Sequence, residues 1–357
     1  MLLSAALTVS TLTHYGGRVD ITTVADDLIV LHEGEAVHRY EHLDPGTTYT
    51  FMGQQVTTLA RPDGELLCHF ATVNDVHFGE TEAGRIDDHA EGPIQRSAPG
   101  EPPYPETMNH AAAAEIAALG AAAVIVKGDL SQDGRPEEWA AFEACYRDRF
   151  GATLHVVRGN HDAYKGQTGY AGDQWISLPG VAVALLDTVI PLQTTGNLLA
   201  PQLEWLETHA AAADTPVIVM GHHQQWLAAP AASARGDHRS EGYFGLHPDA
   251  SDTLADLIAR NPRIVAYTAG HTHRHRVRRM PCGVPSIEIG CVKDFPGTWA
   301  EYRVYEGGIM QVVHRMSTPE ALSWSERCRY LYRDFGVDYE TYALGALEDR
   351  CCNIPLR

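Results

Sequence analysis

Five short segments rich in histidine and aspartate recur along the chain, and each one directly follows a hydrophobic run. The runs have the composition of buried strands, and helix-like stretches lie between them. Alternating strands and helices predict an α/β fold with a largely parallel or mixed sheet, in which loops at the carboxyl ends of the strands lie close together. The segments are Asp75-Val76-His77, Gly128-Asp129, Gly159-Asn160-His161-Asp162, Gly221-His222-His223 and Gly270-His271-Thr272-His273.

Hydrophobic periodicity places the elements that carry these segments. It predicts strands at 66–73, 122–126, 153–157, 216–220 and 263–267. It predicts helices at 106–119, 136–149, 201–213 and 249–259. Two further strands, 299–305 and 309–314, are predicted to complete a second sheet, and a helix is predicted from residue 321 onward. Every segment with candidate ligands then lies at the carboxyl end of a predicted strand.

The side chains of the five segments suit metal ions. Imidazole and carboxylate are ligands for iron, manganese or zinc, and the absence of cysteine from all five segments argues against a thiolate site. Two cations ~3.5–4 Å apart, joined by a bridging carboxylate, need about seven protein donors. A single His or Asp is more often structural, but chance does not place a full set at five strand ends. The candidate ligands are Asp75, His77, Asp129, Asn160, His222, His271 and His273.

The order D-x-H, G-D, G-N-H-D, G-H-H, G-H-x-H resembles that of the calcineurin-like metallophosphoesterase superfamily, over roughly residues 66–295. The resemblance implies a four-layer αββα sandwich and hydrolysis of phosphoesters at two divalent or trivalent metal ions (iron, manganese or zinc). It implies attack on phosphorus by metal-bound hydroxide. Carried over to this chain, the resemblance assigns Asp75, His77 and His273 to one metal ion and Asn160, His222 and His271 to the other, with Asp129 bridging.

The same resemblance implies three catalytic residues, His161, Asp129 and Asn160. His161 is expected to contact the phosphate and either to donate a proton to the leaving oxygen or to stabilise charge there. His223 has a weaker claim as a ligand. It is expected to orient His222 or the neighbouring loop.

Departures from related patterns narrow the substrate class. Purple acid phosphatases carry a tyrosine ligand where this chain has Gln132 and a glycine where it has His77. Ser/Thr protein phosphatases carry an aspartate at the position of Gln132, which weakens an Asp-activated role for His161. The segment 128–139 is similar to bacterial class III cyclic-nucleotide and glycerophosphodiester phosphodiesterases, although Gln224-Gln225 replace the usual two prolines.

The chain divides into three predicted regions. Residues 1–65 form short β runs, such as 6–12 and 28–31, and resemble the N-terminal fibronectin III-like β domain of purple acid phosphatases. This small all-β domain is expected to pack on the flank and to touch no substrate. Residues 66–315 form the catalytic domain. Residues 316–357 form a helical extension whose aromatic side chains are expected mainly to pack in the core.

Composition excludes several partners. The formal net charge of −19 would repel nucleic-acid polymers. No stretch is apolar enough to span a bilayer, and the N-terminus lacks the basic start of a signal peptide. The seven cysteines are an odd number and indicate cytosolic thiols, so a cytoplasmic location is predicted. Association of identical chains is left open.

Two long loops, 78–107 and 226–248, begin beside candidate ligands and are expected to decide the substrate. Candidate contacts are Arg235 or Arg239 for a second phosphate or a carboxylate, and Tyr243 or Phe244 for a nucleobase. The sequence therefore predicts a dinuclear metal-dependent phosphodiesterase acting on small phosphodiesters, either cyclic nucleotides or glycerophosphodiesters. A phosphomonoesterase or nucleotidase with the same site, or a scaffold without catalysis, is the alternative.

Overall fold

The computed structural model describes residues 18–86, 88–226 and 244–357. Its strands are β1 (Val19–Val24), β2 (Leu28–Glu33), β3 (Ala36–Glu41), β4 (Thr48–Phe51), β5 (Gln54–Thr57), β6 (Leu66–Val73), β7 (Val124–Lys127), β8 (Leu154–Val157), β9 (Gln174–Leu178), β10 (Val181–Leu186), β11 (Val217–Gly221), β12 (Ile264–Ala269), β13 (Arg276–Arg279), β14 (Pro285–Glu288), β15 (Thr298–Tyr305), β16 (Gly308–Arg315) and β17 (Cys352–Pro355). Its helices are α1 (Tyr104–Leu119), α2 (Pro136–Phe142), α3 (Asp148–Phe150), α4 (Ala200–Ala212), α5 (Pro248–Arg260), α6 (Pro319–Arg327), α7 (Tyr339–Leu344) and α8 (Leu347–Arg350).

Two six-stranded sheets form the centre of the molecule. The first has the order β17-β16-β15-β6-β7-β8 and the second β13-β14-β12-β11-β10-β9. In the first sheet β6, β7 and β8 are parallel, and in the second β10, β11, β12 and β14 are parallel. All five strands that precede the ligand segments belong to these parallel blocks, so the segments emerge at carboxyl ends, as the sequence predicts.

Three apolar cores define the layers. One core lies between the sheets and contains Phe70 and Tyr302 of the first sheet together with Ile218 of the second. A second core joins the outer face of the first sheet to α1, α2 and α6. A third joins the outer face of the second sheet to α4 and α5. The predicted four-layer αββα sandwich is therefore confirmed, with the ligand segments collected at one end of it.

Helix boundaries follow from local chemistry. Helix α1 begins with Pro105 in its first turn, where the missing N–H costs no intrahelical hydrogen bond. It ends at Gly120, whose φ of 69° lies in the left-handed region that glycine tolerates. The predicted helix 136–149 is present as α2 and α3, joined by a π-helical turn over Glu143–Arg147.

The strands predicted at 299–305 and 309–314 are present as β15 and β16. The prediction that they complete a second sheet was wrong, because they belong to the same sheet as β6. Strands β15 and β16 do not join the sheet of β11 and β12. Strand β15 pairs antiparallel with β6, so that Ala300 lies opposite Thr72, and β16 pairs with β15. They therefore complete the first sheet, and the second is completed by β9, β10, β13 and β14, which sequence periodicity did not predict.

From residue 18 onward, the N-terminal part contains a three-stranded sheet, β1-β2-β3, and the hairpin β4-β5. Its buried residues Val24 and Ile29 belong to the same apolar core as Val313 of β16. Arg303 of β15 donates to Asp26 at 2.7 Å. The small N-terminal β region is thus present and packs against the first sheet. The boundary at residue 65 stays a prediction, and the predicted run 6–12 lies outside the described residues.

The C-terminal part contains the predicted helix as α6, followed by α7, α8 and the strand β17. Strand β17 pairs antiparallel with β16, so it adds an edge to the first sheet. Within the described residues, no helix is both long enough and apolar enough to cross a membrane.

Candidate metal centre

Several candidate ligands have an unusual backbone conformation. Asp75, His77, Asp129, His271 and His273 have φ values of 54°, 49°, 49°, 68° and 53°. Residues with a Cβ atom rarely occupy the left-handed region, and such conformations tend to cluster at functional sites. At the ends of buried parallel strands, this conformation turns the chain sharply and brings the side chains of consecutive segments together.

Two glycines of the motifs make this convergence possible. A Cβ atom at Gly128 would lie 2.5 Å from Nδ1 of His222. A Cβ atom at Gly270 would lie 2.7 Å from Oδ2 of Asp75. Any side chain at these positions would therefore collide with a candidate ligand from another strand, which explains why the glycines precede the ligands.

Asp129 lies at the centre of the cluster. Its Oδ2 atom is 3.4 Å from Nε2 of His77 and 3.3 Å from Nε2 of His222. These two histidines belong to the two groups that the sequence assigned to different metal ions. The structure thus places the carboxylate between the groups, which is the geometry that a bridging ligand requires.

The first predicted group is compact. Ligand atoms of Asp75, His77 and His273 all lie within 4.8 Å of one another. Nδ1 of His77 donates to Oε1 of Gln132 at 3.2 Å, which leaves Nε2 free to bind a cation. Nδ1 of His273 lies 3.6 Å from Oδ2 of Asp294, and its Nε2 faces Asp75 at 3.7 Å.

The second predicted group meets on the other side of Asp129. Oδ1 of Asn160 lies 2.9 Å from Nε2 of His222. Nδ1 of His222 donates to the carbonyl oxygen of Lys127 at 2.8 Å, which directs Nε2 toward the cluster. Nε2 of His271 donates to the carbonyl oxygen of Phe244 at 2.8 Å, so Nδ1 is its available nitrogen.

His223 is held differently from these histidines. Its ligand atom lies within 4.8 Å of those of His222 and His271. However, both ring nitrogens contact oxygens of residues that are not candidate ligands, Oγ1 of Thr188 (2.8 Å) and the carbonyl of Thr194 (3.1 Å). This environment favours the predicted supporting role of His223 over direct binding of a metal ion.

His161 lies beside the cluster and lines an open cleft. Its backbone N–H donates to Oδ1 of Asp129 at 3.0 Å. Its Nδ1 donates to the carbonyl oxygen of Gln132 at 2.8 Å, which leaves Nε2 as the nitrogen available to a ligand in the cleft. The partner of the ring is a backbone carbonyl and not a carboxylate, in keeping with the absence of an aspartate at position 132.

Electrostatics at the cluster favour cations. Burial lowers the pKa of His222, but the charge and hydrogen bond of Asp129, together with smaller contributions from neighbouring groups, outweigh burial and raise that pKa to about 9. Burial lowers the pKa of His77 and of His271, so these rings are neutral. Imidazole binds metal ions in its neutral form, so a cation bound at Asp129 would replace the proton that this carboxylate holds on His222.

The donors present fit a metal centre. Nε2 of His77 is buried and has no hydrogen-bond partner within the described part of the chain. A buried polar atom without a partner is costly unless a ligand satisfies it. The surrounding atoms are mainly nitrogen and oxygen, as iron, manganese or zinc prefer. No cysteine belongs to the four groups that contain the predicted ligands Asp75, Asp129 or His222, although Cys291 lies close to His273.

Sequence reasoning missed three supporting residues. Asp162 accepts hydrogen bonds from the backbone N–H groups of Leu130, Ser131 and Gly159, and so fastens the second segment to the third. Asp162 is the last residue of the third ligand segment, so its position in the sequence is a signal that could have predicted this structural role. In the sequence, Gln132 stands out only as a departure from related patterns, and its contact with His77 arises in the folded chain. Asp294 carries no motif signal, and its contact with His273 likewise arises only on folding.

A cleft of about 460 Å³ opens over the cluster. The C-terminal part lines it with aromatic residues that the sequence assigned mainly to the core. Of the two long loops, Ile86 and Phe244 reach the cleft. Arg96 of the first loop instead pairs with Glu82, and Arg235, His238, Arg239 and Tyr243 of the second lie outside the described residues. The described lining is Ile86, Asp129, Asn160, His161, Tyr164, Thr194, Phe244, His271, Thr272, His273, Tyr332, Val337, Tyr339 and Tyr342.

Fold and site define a metal-dependent hydrolase of phosphoric esters. The sequence profile of the calcineurin-like phosphoesterases matches residues 68–275, and the chain belongs to this family. No curated protein sequence gives a significant match. Among solved structures, a dimetal phosphatase from Danio rerio is similar in fold, with a TM-score of 0.53 and 13% identity over 82% of this chain and 100% of that chain. A purple acid phosphatase from yellow lupin (Lupinus luteus) gives a TM-score of 0.47 and 14% identity over 79% of this chain and 60% of that chain.

Proposed function

We propose that the protein is a dinuclear metal-dependent phosphodiesterase that hydrolyses small phosphodiesters. The observation that carries this proposal is the position of Asp129 Oδ2, 3.4 Å from His77 and 3.3 Å from His222. One carboxylate oxygen faces both histidine groups, so a single side chain can join two cations. Residues from three of the five segments thus meet at one point.

Asp75, His77 and His273 would hold one metal ion, and Asn160, His222 and His271 the other, with Asp129 between them. When bound, two such cations activate water and neutralise the phosphoryl oxygens. The hydrogen bonds from His77 to Gln132 and from His222 to Lys127 fix each ring so that Nε2 faces Asp129.

His161 supplies the remaining chemistry. Its Nδ1 is committed to the carbonyl of Gln132, so Nε2 is the atom that reaches a phosphate in the cleft. From there it stabilises charge on a phosphoryl oxygen or, when protonated, gives a proton to the leaving oxygen. The hydrogen bond from the backbone N–H of His161 to Asp129 holds His161 at a fixed position beside the metal centre.

The lining of the cleft favours a diester over a monoester. A phosphomonoester carries up to two negative charges near neutral pH, whereas a diester carries one. Among the described residues that line the cleft there is no lysine or arginine. Within this described lining, positive charge beyond the metal ions is scarce, and a monoanionic diester is the better match.

Turnover of bis(p-nitrophenyl) phosphate and of p-nitrophenyl phosphate by metal-analysed protein tests the proposal. Both esters release the same phenolate, so the comparison isolates the charge of the substrate. We expect a higher kcat/KM for the diester. A higher kcat/KM for the monoester would support the phosphomonoesterase alternative. Absence of turnover of both esters by fully metal-loaded protein would support the alternative that the protein is a scaffold without catalysis.

A further inference from the structure

We infer that the C-terminal segment 332–342 forms the wall of a substituent pocket, and that this pocket selects phosphoesters whose second substituent is an uncharged aromatic group. The inference rests on the proposed function, because it names the substrate class of the same site. It makes the residues of this wall determinants of specificity and not members of the metal centre.

Apolar side chains from three separate segments converge on the cleft. Three large apolar side chains of the cleft lining remain 38% exposed: Ile86, Phe244 and Val337. It is uncommon for exposed apolar side chains of this size to line the same cleft. Exposed apolar residues gathered at one site usually mark a surface that binds a ligand. Tyr164, Tyr332 and Tyr342 add partly exposed aromatic rings to the same lining.

The wall is fixed in place before any ligand binds. The hydroxyl of Tyr339 donates to Oδ1 of Asp294 at 2.8 Å, and the hydroxyl of Tyr342 donates to the carbonyl of Thr272 at 2.9 Å. Thr272 stands between the candidate ligands His271 and His273. The rings of Tyr332 and Tyr339 pack edge to face at 5.1 Å. Rigid aromatic side chains bind a flat group with little loss of conformational freedom.

The described part of the lining disfavours a charged substituent. The described lining offers no lysine or arginine to pair with a second phosphate or a carboxylate. The polar groups beyond the metal cluster include the hydroxyls of Tyr164 and Thr194, which lie 3.3 Å apart. An uncharged aromatic ring, such as a nucleobase or a phenol, can stack on the tyrosines and still leave these hydroxyls hydrated. A glycerol substituent would gain little from the same wall.

Binding of two phosphonates tests the wall without turnover. Phenylphosphonate and methylphosphonate place the same anion on the metal ions and differ only in the ring. Calorimetry on the metal-loaded full chain should find phenylphosphonate bound about tenfold more tightly or better. Val337→Ser and Ile86→Ser should each reduce this ratio. Leu356→Ser, an equally exposed aliphatic position (38%) outside the cleft, should leave the ratio unchanged.

Equal binding of the two phosphonates, or a ratio that Val337→Ser and Ile86→Ser both leave intact, would overturn the inference. Hydrolysis of phenyl p-nitrophenyl phosphate and of methyl p-nitrophenyl phosphate separates this failure from failure of the proposed function. Turnover of both esters with equal kcat/KM would refute the aromatic pocket and retain the phosphodiesterase. Absence of turnover in fully loaded protein would refute the phosphodiesterase, while the phosphonate ratio would still decide whether the wall selects a ring.

Discussion

Nε2 of His222 lies 3.3 Å from Oδ2 of Asp129, although the two residues follow strands of different sheets. Asp129 comes just after β7 in the first sheet, and His222 comes directly after β11 in the second. The candidate metal centre therefore lies where the carboxyl ends of the two sheets meet. Its assembly depends on correct packing of the whole sandwich, and each half of the chain contributes ligands.

Replacing the central carboxylate should disable the centre. In Asp129→Asn the amide cannot supply a negative charge between the two groups, so we expect loss of metal affinity and a fall in turnover of more than about 100-fold. Metal content after dialysis and kcat for a chromogenic diester measure both effects. Asp133→Asn, which removes a carboxylate paired with the exposed Arg135 and Lys165, is the control and should keep both properties. Stoichiometric metal and near-normal turnover in Asp129→Asn would reject the bridging role.

His161→Ala should separate catalysis from metal binding. The variant should retain its metal ions, because His161 is assigned to the phosphate, but its kcat should fall by about 10²–10⁴ for an alkoxide leaving group. An activated nitrophenolate needs less protonation, so its loss should be smaller if His161 acts as an acid. Identical losses for both leaving groups would exclude the acid role and leave stabilisation of charge.

Asp294 should act through His273. Its carboxylate lies 3.6 Å from Nδ1 of His273 and accepts a hydrogen bond from Tyr339. Asp294→Asn should weaken the binding of one metal ion by about 10–100-fold, as is typical when a carboxylate partner of a metal-binding histidine is removed. Tyr339→Phe removes only the hydroxyl contact and should have a smaller effect in the same direction. Chelator competition measures both, and unchanged affinity in Asp294→Asn would show that the contact is purely structural.

A buried ion pair behind the site should give a pH-dependent stability. Burial raises the pKa of Glu288, but the charges of Arg274 and Arg278 outweigh burial and lower it from 4.5 to about 2. A depressed pKa in the folded state stabilises the fold above the unfolded value, and this contribution is lost as the pH falls from 4.5 toward 2. Glu288→Gln removes the buried carboxylate that pairs with Arg274 and with the buried Arg278, and should cost about 3–5 kcal/mol at neutral pH.

The difference in unfolding free energy between wild type and Glu288→Gln should shrink as the pH is lowered through this window. Denaturant titrations at several pH values measure it. Glu207→Gln, which removes an exposed carboxylate paired with the half-exposed Arg260, is the matched control and should change little at any pH. A difference that stays constant from neutral pH to pH 3 would contradict the assignment of the charge pair.

Local sequence predicted much of this structure because its signals are local. Strand β6 was placed correctly at 66–73, and the other six candidate ligands lie around Asp129, since each follows a hydrophobic run that ends at the same edge. Strand β13 (Arg276–Arg279) was missed because its arginines hide the apolar pattern. Arg278 is buried through its pairing with Glu288 at 2.9 Å, a partner that no local window reveals. The contact of Tyr339 with Asp294 is likewise invisible until the C-terminal part packs beside the cleft.

Turnover of bis(p-nitrophenyl) phosphate as a function of bound metal tests the central claim most directly. Protein stripped by chelation should be inactive and should regain activity as manganese or zinc is added, with full kcat reached at two bound ions per chain. Metal analysis of the same samples gives the stoichiometry. Full activity with one ion bound, or activity in the stripped protein, would contradict a dinuclear centre built around Asp129.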